Sequence, residues 1–310
     1  MQTDQVETPD RFALKTQNSE RALIAKPVST FTARTLVITA DDFGADLAVN
    51  EAVEIAHRDG VLTAASLMVT GVAADDAVHR ACQAPKLRVG LHLALVDARP
   101  RLSPGEIPHL VGADGAFRNN MAAAGARMFF HPAARRELAA EIEAQFAAFA
   151  ATGLKLDHVN AHKHFHLHPT IAGLLIDIGK RHGLRALRVP LEPAATLNEV
   201  EPGAASVLDL TAPFAKGMRA RAQRAGLAAP DQVFGLRWTG AMTAPRLAGL
   251  VRAAPPGLTE IYLHPATEDR FVGSAAGYRY REELAALMSE EVRAAASGVR
   301  LGGFLDFAAN

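Results

Sequence analysis

The stretch Leu36-Val37-Ile38-Thr39-Ala40-Asp41-Asp42-Phe43-Gly44 largely decides the fold of this chain. Its first five residues form a mostly apolar run of strand length, which is typical of a buried strand in a parallel sheet. Asp41 and Asp42 follow where such a strand leaves the core, and α/β proteins place their chemistry at that end of their strands. Two adjacent carboxylates repel each other near an apolar interior unless a cation neutralises one of them or one binds a proton. The pair therefore indicates half of a functional site, and the alternative is a solvated turn that caps the next helix.

The composition indicates a folded protein whose partner is a small molecule. The 310 residues are 49% hydrophobic and 21% charged, and 33 basic residues balance 33 acidic ones. This content supports a large core, and the balanced charge gives no reason to expect a nucleic acid or an anionic membrane as partner. A single cysteine, Cys82, excludes an internal disulfide and fits a reducing compartment, although a bacterial periplasmic protein can also do without a disulfide. Because we find neither a signal-like segment nor a run of roughly 18 apolar residues, we expect a cytoplasmic protein with a loosely ordered N-terminal arm over residues 1–34.

Strand-like and helical patterns alternate along residues 35–310, which we interpret as one domain. The predicted strands after the first cover residues 63–70, 87–95, 154–160, 187–190, 258–263 and 299–304, and the predicted helices cover residues 47–57, 74–83, 132–150, 171–182, 213–225, 246–253 and 281–296. Residues 97–132, rich in proline, glycine and asparagine, indicate a long insertion that is either a functional loop or disordered. About seven strands with helices between most of them, and no GxGxxG motif, predict an α/β fold of the distorted, incomplete (β/α) barrel type.

Histidines cluster where other predicted strands end. Five of the twelve histidines lie between His158 and His168, His92 lies within a predicted strand, and His264 follows another. The carboxyl ends of parallel barrel strands meet on one face, so we expect these histidines to approach the acidic pair. A lone histidine such as His92 is more often a core residue, but clustered imidazoles near carboxylates are the donors that divalent metals select. The pattern therefore predicts a metal site.

A catalytic metal site needs about three protein ligands and an open position. The economical set is one carboxylate of the acidic pair, His92 and one histidine of the cluster, and the spacing leaves open which one. A strand would place His162, His164 and His166 on one face, whereas a helix starting at His162 would bring His162 and His166 together. The second carboxylate is then free to act as a general base toward water.

His264 has two interpretations, a general acid held rigid by Pro265 or an ordinary turn histidine. Two other classes of protein also remain open. An amidohydrolase or phosphoesterase uses a similar His-x-His motif, although usually on the first strand. A non-catalytic metal-binding or sugar-binding protein would keep the histidines but would not need both Asp41 and Asp42, so Asp41→Asn discriminates between binding and catalysis.

Taken together, the motifs resemble the YdjC-like carbohydrate deacetylases, relatives of the NodB-type polysaccharide deacetylases. The matching segments are Ala40-Asp41-Asp42-Phe43-Gly44, Gly90-Leu91-His92-Leu93, Asn160-Ala161-His162-Lys163-His164-Phe165-His166, Arg188-Val189-Pro190 and His264-Pro265. The resemblance spans Thr35 to about Phe304. It implies a distorted (β/α) barrel, often a homodimer, that hydrolyses the N-acetyl group of an amino sugar with the help of a metal ion.

The resemblance also implies residue roles. The implied ligands of a divalent ion, zinc or magnesium, are Asp42, His92 and His162. The implied catalytic base is Asp41, and the implied acid-side residue is His264. The residues implied to line the substrate site are Arg188, His164 and His166. Asn160-Ala161 stands where relatives often carry Asp-Ser, so the surroundings of His162 differ from the family pattern.

Three other segments, residues 50–54, 59–69 and 273–278, resemble the hopanoid biosynthesis-associated branch of that family. That branch would act on an N-acetylglucosaminyl group attached to a hopanoid polyol. Met128, Phe129 and Phe130 are apolar residues clustered in the otherwise polar insertion. Our hypothesis is that they contact the lipid part of such a substrate.

Overall fold

The first strand of the barrel is buried along most of its length. The structure is a computed structural model that describes residues 34–205 and 211–308, so the predicted N-terminal arm lies outside the described residues except for Arg34. The strand begins at Arg34, and every residue from Thr35 to Asp41 is buried. The apolar run identified in the sequence is therefore a central strand, as predicted.

Seven strands of the described chain form one parallel sheet. They are β1 (Arg34–Phe43), β2 (Ala64–Leu67), β3 (Arg88–Leu93), β4 (Val159–Ala161), β5 (Gln232–Phe234), β6 (Gly257–Leu263) and β7 (Arg300–Leu301). Their order is β4-β3-β2-β1-β6-β5, and β7 pairs with the start of β1. Residues 186–191 lie between β4 and β5, where the N–H of Arg188 donates to the carbonyl of Val159 at 3.0 Å and the N–H of Val233 donates to that of Leu191 at 2.9 Å. The sheet is thus the predicted distorted and incomplete (β/α) barrel.

Helices connect most of the strands. They are α1 (Leu47–Asp59), α2 (Ala74–Gln83), α3 (Met121–Phe130), α4 (Pro132–Ala151), α5 (Pro169–Arg181), α6 (Ala194–Val200), α7 (Ala212–Arg224), α8 (Ala244–Ala253), α9 (Tyr280–Met288), α10 (Glu290–Ala296) and α11 (Phe304–Phe307). Four of them, α4, α5, α7 and α8, carry proline in the first turn, where its fixed φ suits a helix start. None of the helices in the described ranges is both long and apolar enough to cross a membrane.

The two faces of β1 have different surroundings because side chains alternate along a strand. Leu36, Ile38 and Ala40 join the large apolar core, which also contains residues of the covering helices. Val37 joins a separate small apolar cluster. The other buried members of that cluster are Ala64, Ala186 and Phe304. Along β1, alternation places Asp41 on the same face as Val37, so the face that is apolar near the start of the strand becomes polar at its end.

Most of the predicted helices are confirmed. The structure has helices at α1, α2, α4, α5, α7 and α8, within a few residues of the predicted bounds. The predicted helix over residues 281–296 is instead two helices, because Ser289 adopts an extended backbone and caps α10 by accepting the N–H of Glu291. Helix α3 lies inside the segment predicted to be a long loop, and the Asn120 side chain caps it by accepting the N–H of Ala123.

The predicted strands were too long in several places. The strand expected over residues 154–160 is the short β4, and residues 187–190 form only an isolated bridge from Leu187 to Val159. The last strand is the two-residue β7, since Phe304 already begins α11. These segments lie where the barrel is irregular, so few ladder hydrogen bonds support them.

Candidate active site

A cavity of about 480 Å³ opens at the carboxyl ends of the strands. Its lining residues are Asp41, Asp42, His92, Asp97, Ala161, His162, Lys163, His164, Leu236, Thr239, Tyr262, His264, Gly273, Ser274, Ala275, Tyr278 and Tyr280. Ala40 pairs with Leu263 in the register of β1 and β6, so Asp41 and His264 leave neighbouring strands at the same level. The acidic pair does not cap the next helix, because Asp46 is the residue whose side chain accepts the N–H of Ala48 at the start of α1.

Asp42, His92 and His162 meet at one point of this cavity. Asp42 Oδ1 lies 3.0 Å from His162 Nδ1 and 3.2 Å from His92 Nε2. One ligand atom from each of the three side chains lies within 4.8 Å of the other two. We call these residues the metal triad, since they are the ligands of a divalent ion that the family resemblance implies.

The turns that carry these ligands contain backbone conformations that are rare for residues other than glycine. Asp42 has φ of 62°, and Lys163 and His164, directly after His162, have φ of 53° and 52°. Such conformations cost on the order of 1–3 kcal/mol each and tend to occur at functional sites. The histidine run forms a short 3-10 helix over His162–Leu167 that is broken at the left-handed Lys163 and His164, so the strand alternative is wrong and the helix does not bring His162 and His166 together. The side chains of His162, His164 and His166 each have a different partner.

The donor set of the triad fits a divalent transition metal. His92 and His162 each direct one ring nitrogen at the same oxygen of Asp42. The other ring nitrogen of His92, Nδ1, lies 2.7 Å from Asn160 Oδ1, so its Nε2 is the atom that faces Asp42. Burial would lower the pKa of His92, but the charge of Asp41 and the hydrogen bond and charge of Asp42 raise it. Two imidazoles and one carboxylate suit zinc better than magnesium, which prefers oxygen ligands.

Asp41 is held at the floor of the cavity by a buried cation. Arg188 Nη1 donates to Asp41 Oδ2 at 2.5 Å, Nη2 donates to Oδ1 at 3.0 Å, and Arg188 Nε donates to Glu260 Oε2 at 2.9 Å. Burial would raise the pKa of Asp41, but the charge of Arg188, with smaller effects from His92 and His264, holds it well below its ordinary value. Asp41 is therefore an ionised carboxylate with a fixed orientation.

The three residues expected to line the substrate site lie at different depths. His164 lines the cavity, and its Nε2 lies 2.8 Å from the Tyr262 hydroxyl. Arg188 and His166 are both 0% exposed, and His166 Nε2 lies 3.1 Å from the Arg188 carbonyl. Since neither has exposed surface in the described structure, a direct contact with substrate is not available to them. Arg188 binds Asp41 from below, and His166 contacts the backbone of Arg188.

His264 lies beside aromatic rings at the end of β6. Its ring centroid is 5.7 Å from that of Tyr262 and 5.3 Å from that of Tyr278. The His264 backbone N–H donates to Glu283 at 2.5 Å, while its buried Nδ1 has no hydrogen-bond partner among the described residues. Burial raises the pKa of Glu283. The turn is thus fixed through the backbone, and the imidazole is free of competing contacts at Nδ1.

Several residues that shape the site were not predicted from the sequence. Glu260 binds Arg188 from inside β6, and Tyr262 stacks under the same guanidinium, whose Cζ is 4.4 Å from the ring centroid. A usable signal for Glu260 was present, since it is a lone carboxylate inside an apolar strand and such a group needs a buried partner. Tyr278 belongs to the segment 273–278 noted for its resemblance, but nothing in the sequence marked it as part of the site, because it lies in a loop far along the chain from the histidine cluster at residues 158–168.

The inserted segment contributes little to the cavity. Of residues 97–132 only Asp97 lines it, and Asp97 accepts a hydrogen bond from Lys163 at 2.5 Å. Met128 is 1% exposed and packs in the core, so it is not available for the lipid contact suggested above. Phe129 and Phe130, in contrast, are 54% and 78% exposed.

Comparison with known proteins supports a relationship to carbohydrate deacetylases. A carbohydrate deacetylase of Geobacillus stearothermophilus is 30% identical over 280 residues, which is 88% of this chain and 98% of that protein. A carbohydrate deacetylase of Brevibacillus brevis is 35% identical over 156 residues, which is 50% of this chain and 58% of that protein, so this match spans little more than half of the relative.

The fold is also shared with a protein of known structure. The crystal structure of a candidate cellobiose-phosphate cleavage protein from Enterococcus faecalis superposes with a TM-score of 0.71 at 24% identity, covering 90% of this chain and 100% of that one. At this level of identity the similarity concerns the fold alone. The sequence of residues 35–297, from β1 to just beyond α10, matches the YdjC-like proteins throughout. This chain therefore belongs to the YdjC-like protein family.

Proposed function

We propose that this chain is a metal-dependent hydrolase that removes the N-acetyl group from an amino sugar. The observation that carries the proposal is the metal triad beside a second, separately held carboxylate, Asp41, in one cavity. The relative from Geobacillus stearothermophilus, which matches over most of both chains, is named a carbohydrate deacetylase and supports the same reaction.

The three residues of the triad would hold a divalent ion, and their donor atoms favour zinc over magnesium. Such an ion, when bound, polarises the amide carbonyl and increases the acidity of water. Asp42 and His162 line the cavity directly and are each 19% exposed at the side chain, so the triad is accessible to a substrate.

Asp41 is our candidate general base. It takes the proton of the attacking water while the water oxygen forms a bond to the carbonyl carbon. Two hydrogen bonds from Arg188 and one from Asn160 Nδ2, at 3.1 Å, fix the carboxylate so that it cannot rotate away. The same interactions keep it ionised, as the lowered pKa of Asp41 indicates.

His264 is our candidate general acid. When the C–N bond breaks, the sugar nitrogen needs a proton, and acetate and a free amine are the products. His264 lines the cavity at the same strand level as Asp41, and its backbone is held by Glu283. Tyr278 and Tyr280 line the same cavity and offer aromatic surface on which a sugar ring packs.

The finer prediction is that the substrate is an N-acetylglucosaminyl group linked to a hopanoid polyol. Its support is the resemblance of residues 50–54, 59–69 and 273–278 to that branch, together with the exposed Phe129 and Phe130. Equal loss of activity on lipid-linked and free sugars when residues 121–130 are replaced by a short linker would contradict a lipid-binding role. A homodimer and a cytoplasmic location remain predictions from the sequence.

Acetate release provides the test of the proposed reaction. The purified protein is stripped with a chelator, reloaded with Zn²⁺ or Mg²⁺, and incubated with N-acetylglucosamine oligosaccharides. Asp41→Asn should retain bound metal by elemental analysis and lose about 10²–10⁴ in rate, the range typical of a lost general base. The matched control is Asp59→Asn, an exposed carboxylate at the end of α1, which should keep the wild-type rate.

Each alternative predicts a different result. Unchanged turnover by Asp41→Asn would remove this residue from the mechanism. A phosphoesterase would release phosphate from an aryl phosphate and no acetate from the acetylated sugars. A non-catalytic binding protein would retain metal and release nothing from either substrate.

A further inference from the structure

A chain of four buried polar side chains lies beneath the metal triad. The members are Asp157, His158, Ser66 and Asn160, which are between 0% and 4% exposed. They are linked in this order by hydrogen bonds of 3.0, 3.0 and 2.9 Å. Asn160 then contacts both His92 and Asp41. Each inner side chain that donates to one neighbour must accept from the other, so assigning the donor at one end of the chain assigns it at every link.

The chain begins at Asp157, which acts as an acceptor. Its Oδ2 accepts the backbone N–H of Phe304 at 3.0 Å and its Oδ1 accepts that of Leu305 at 3.1 Å. Burial would raise the pKa of Asp157, but the hydrogen bond from His158 and these two backbone donors lower it. An ionised carboxylate has only acceptor capacity, so His158 Nδ1, 3.0 Å away, must carry the proton.

The second step fixes Ser66. His158 Nδ1 already donates to Asp157, so the remaining contact of the ring is the one between Nε2 and the Ser66 hydroxyl, which are 3.0 Å apart; here Nε2 accepts the hydroxyl proton. The Ser66 oxygen then accepts Asn160 Nδ2 at 2.9 Å. In the reverse direction Ser66 would receive donors from both neighbours, and its own proton would have no acceptor among the described residues.

The third step reaches the site. The second amide proton of Asn160 goes to Asp41 Oδ1 at 3.1 Å, so both of its donors are used. A flipped amide would place two acceptors against each other at Asp41. Asn160 Oδ1 must therefore accept, and its partner is His92 Nδ1–H at 2.7 Å. That leaves His92 Nε2 without the proton and directed at Asp42, another member of the metal triad.

We propose that Asp157, His158, Ser66 and Asn160 are positioning residues that fix the ring tautomer of His92 and the orientation of Asp41 together. This inference rests on the proposed function, because it takes the triad as a metal site. One amide group thereby aligns both a ligand histidine and the candidate base. Groups that orient ligand histidines typically change metal affinity by about 10–100-fold when removed.

The first experiment uses the wild-type protein and requires no activity. Long-range ¹H–¹⁵N spectra of the histidine rings distinguish the two neutral tautomers. We expect the His158 ring to be neutral with its proton on Nδ1, and His92 to carry a proton on Nδ1 in the Zn²⁺-loaded protein. A proton on His158 Nε2 would reverse the chain and overturn the proposal.

The second experiment measures Zn²⁺ affinity by competition with a chromogenic chelator. Ser66→Ala removes the central link, and His158→Phe keeps the ring that stacks on Phe304, whose centroid is 4.3 Å away, but removes both ring nitrogens. Each variant should bind Zn²⁺ about 10-fold more weakly. Thr259→Val is the matched control. It removes a buried hydroxyl of the same barrel, which accepts a hydrogen bond from Gln232 and contacts none of the four positioning residues.

These measurements separate the two proposals. Wild-type Zn²⁺ affinity in folded Ser66→Ala and His158→Phe would overturn the positioning role whatever the protein catalyses. The expected tautomers and affinities in a protein that releases no acetate would leave the positioning role supported and remove the deacetylase. If a variant fails to fold, the tautomer measurement on the wild-type protein decides.

Discussion

Acid should destabilise this protein in a way that depends on His166. The residue is 0% exposed, and its Nε2 donates to the Arg188 carbonyl at 3.1 Å. Burial, followed by the charge of Arg188, lowers the pKa of His166 to about 3. In the unfolded chain the pKa returns to about 6.5. Between these two pH values the His166 ring binds a proton in the unfolded state but not in the folded state. The free energy of unfolding is therefore unaffected by protonation of His166 above about pH 6.5 and decreases as the pH falls toward 3.

The size of the effect follows from the width of that window. A difference of one bound proton between the two states changes the free energy of unfolding by about 1.4 kcal/mol per pH unit. Lowering the pH from about 6.5 to about 4.5 should therefore reduce the free energy of unfolding by about 2–3 kcal/mol through His166 alone. His164, whose pKa burial also holds well below its ordinary value, acts in the same direction and steepens the total slope. The variant His166→Gln keeps a donor near the position of Nε2 but does not titrate.

Urea unfolding at a series of pH values measures this difference. The free energy of unfolding of the wild-type protein should fall relative to that of His166→Gln by about 2–3 kcal/mol across the window. Thr259→Val, a buried substitution without a titratable group, should instead shift the curve by a constant amount. Parallel pH profiles for the wild-type protein and His166→Gln would refute the reasoning, since they would mean that His166 binds its proton equally in both states.

Two further predictions concern stability around the site. Arg188→Met should lower the free energy of unfolding by about 3–5 kcal/mol near neutral pH, because Asp41 and Glu260 lose their buried cation, and adding Glu260→Gln should recover part of the loss in the same urea assay. A loss under about 1 kcal/mol for Arg188→Met would show that the two carboxylates are neutralised in another way. Gly90→Ala should cost about 1–3 kcal/mol and weaken Zn²⁺ binding, because an added Cβ would lie 2.5 Å from the His158 ring. Its measurement is thermal unfolding together with chelator competition, and wild-type values in both would contradict the close contact.

Local patterns were enough to place the acidic pair and the main helices. The apolar run of β1 and the helical spacing of α1 and α4 depend on neighbouring residues, and both are confirmed. Parallel strand direction then explains why Asp42, His92 and His162 converge, since each lies at or just beyond the carboxyl end of a strand. These inferences hold because hydrophobic periodicity and sheet polarity are properties of short segments.

Contacts between residues far apart in the sequence could not be predicted from these local patterns. Glu260 is explained by its distant partners, Arg188 72 positions earlier and Thr39 221 positions earlier, and the short β5 is a strand through its pairing with β6. No spacing rule indicates the left-handed backbone of Lys163 and His164. The insertion was interpreted as a loop from its turn residues, although the alanine-rich run after Asn120 indicated the helix α3.

The end of the described chain has a consequence for when the site forms. The backbone of Phe304 and Leu305 supplies two donors to Asp157, at separations of 147 and 148 positions, and β1 pairs with β6 and β7 more than 200 positions later. During synthesis on the ribosome, the early strands emerge long before these partners are available. Since such long-range contacts form slowly, the cavity should be among the last parts of the molecule to become ordered, after the local helices are in place.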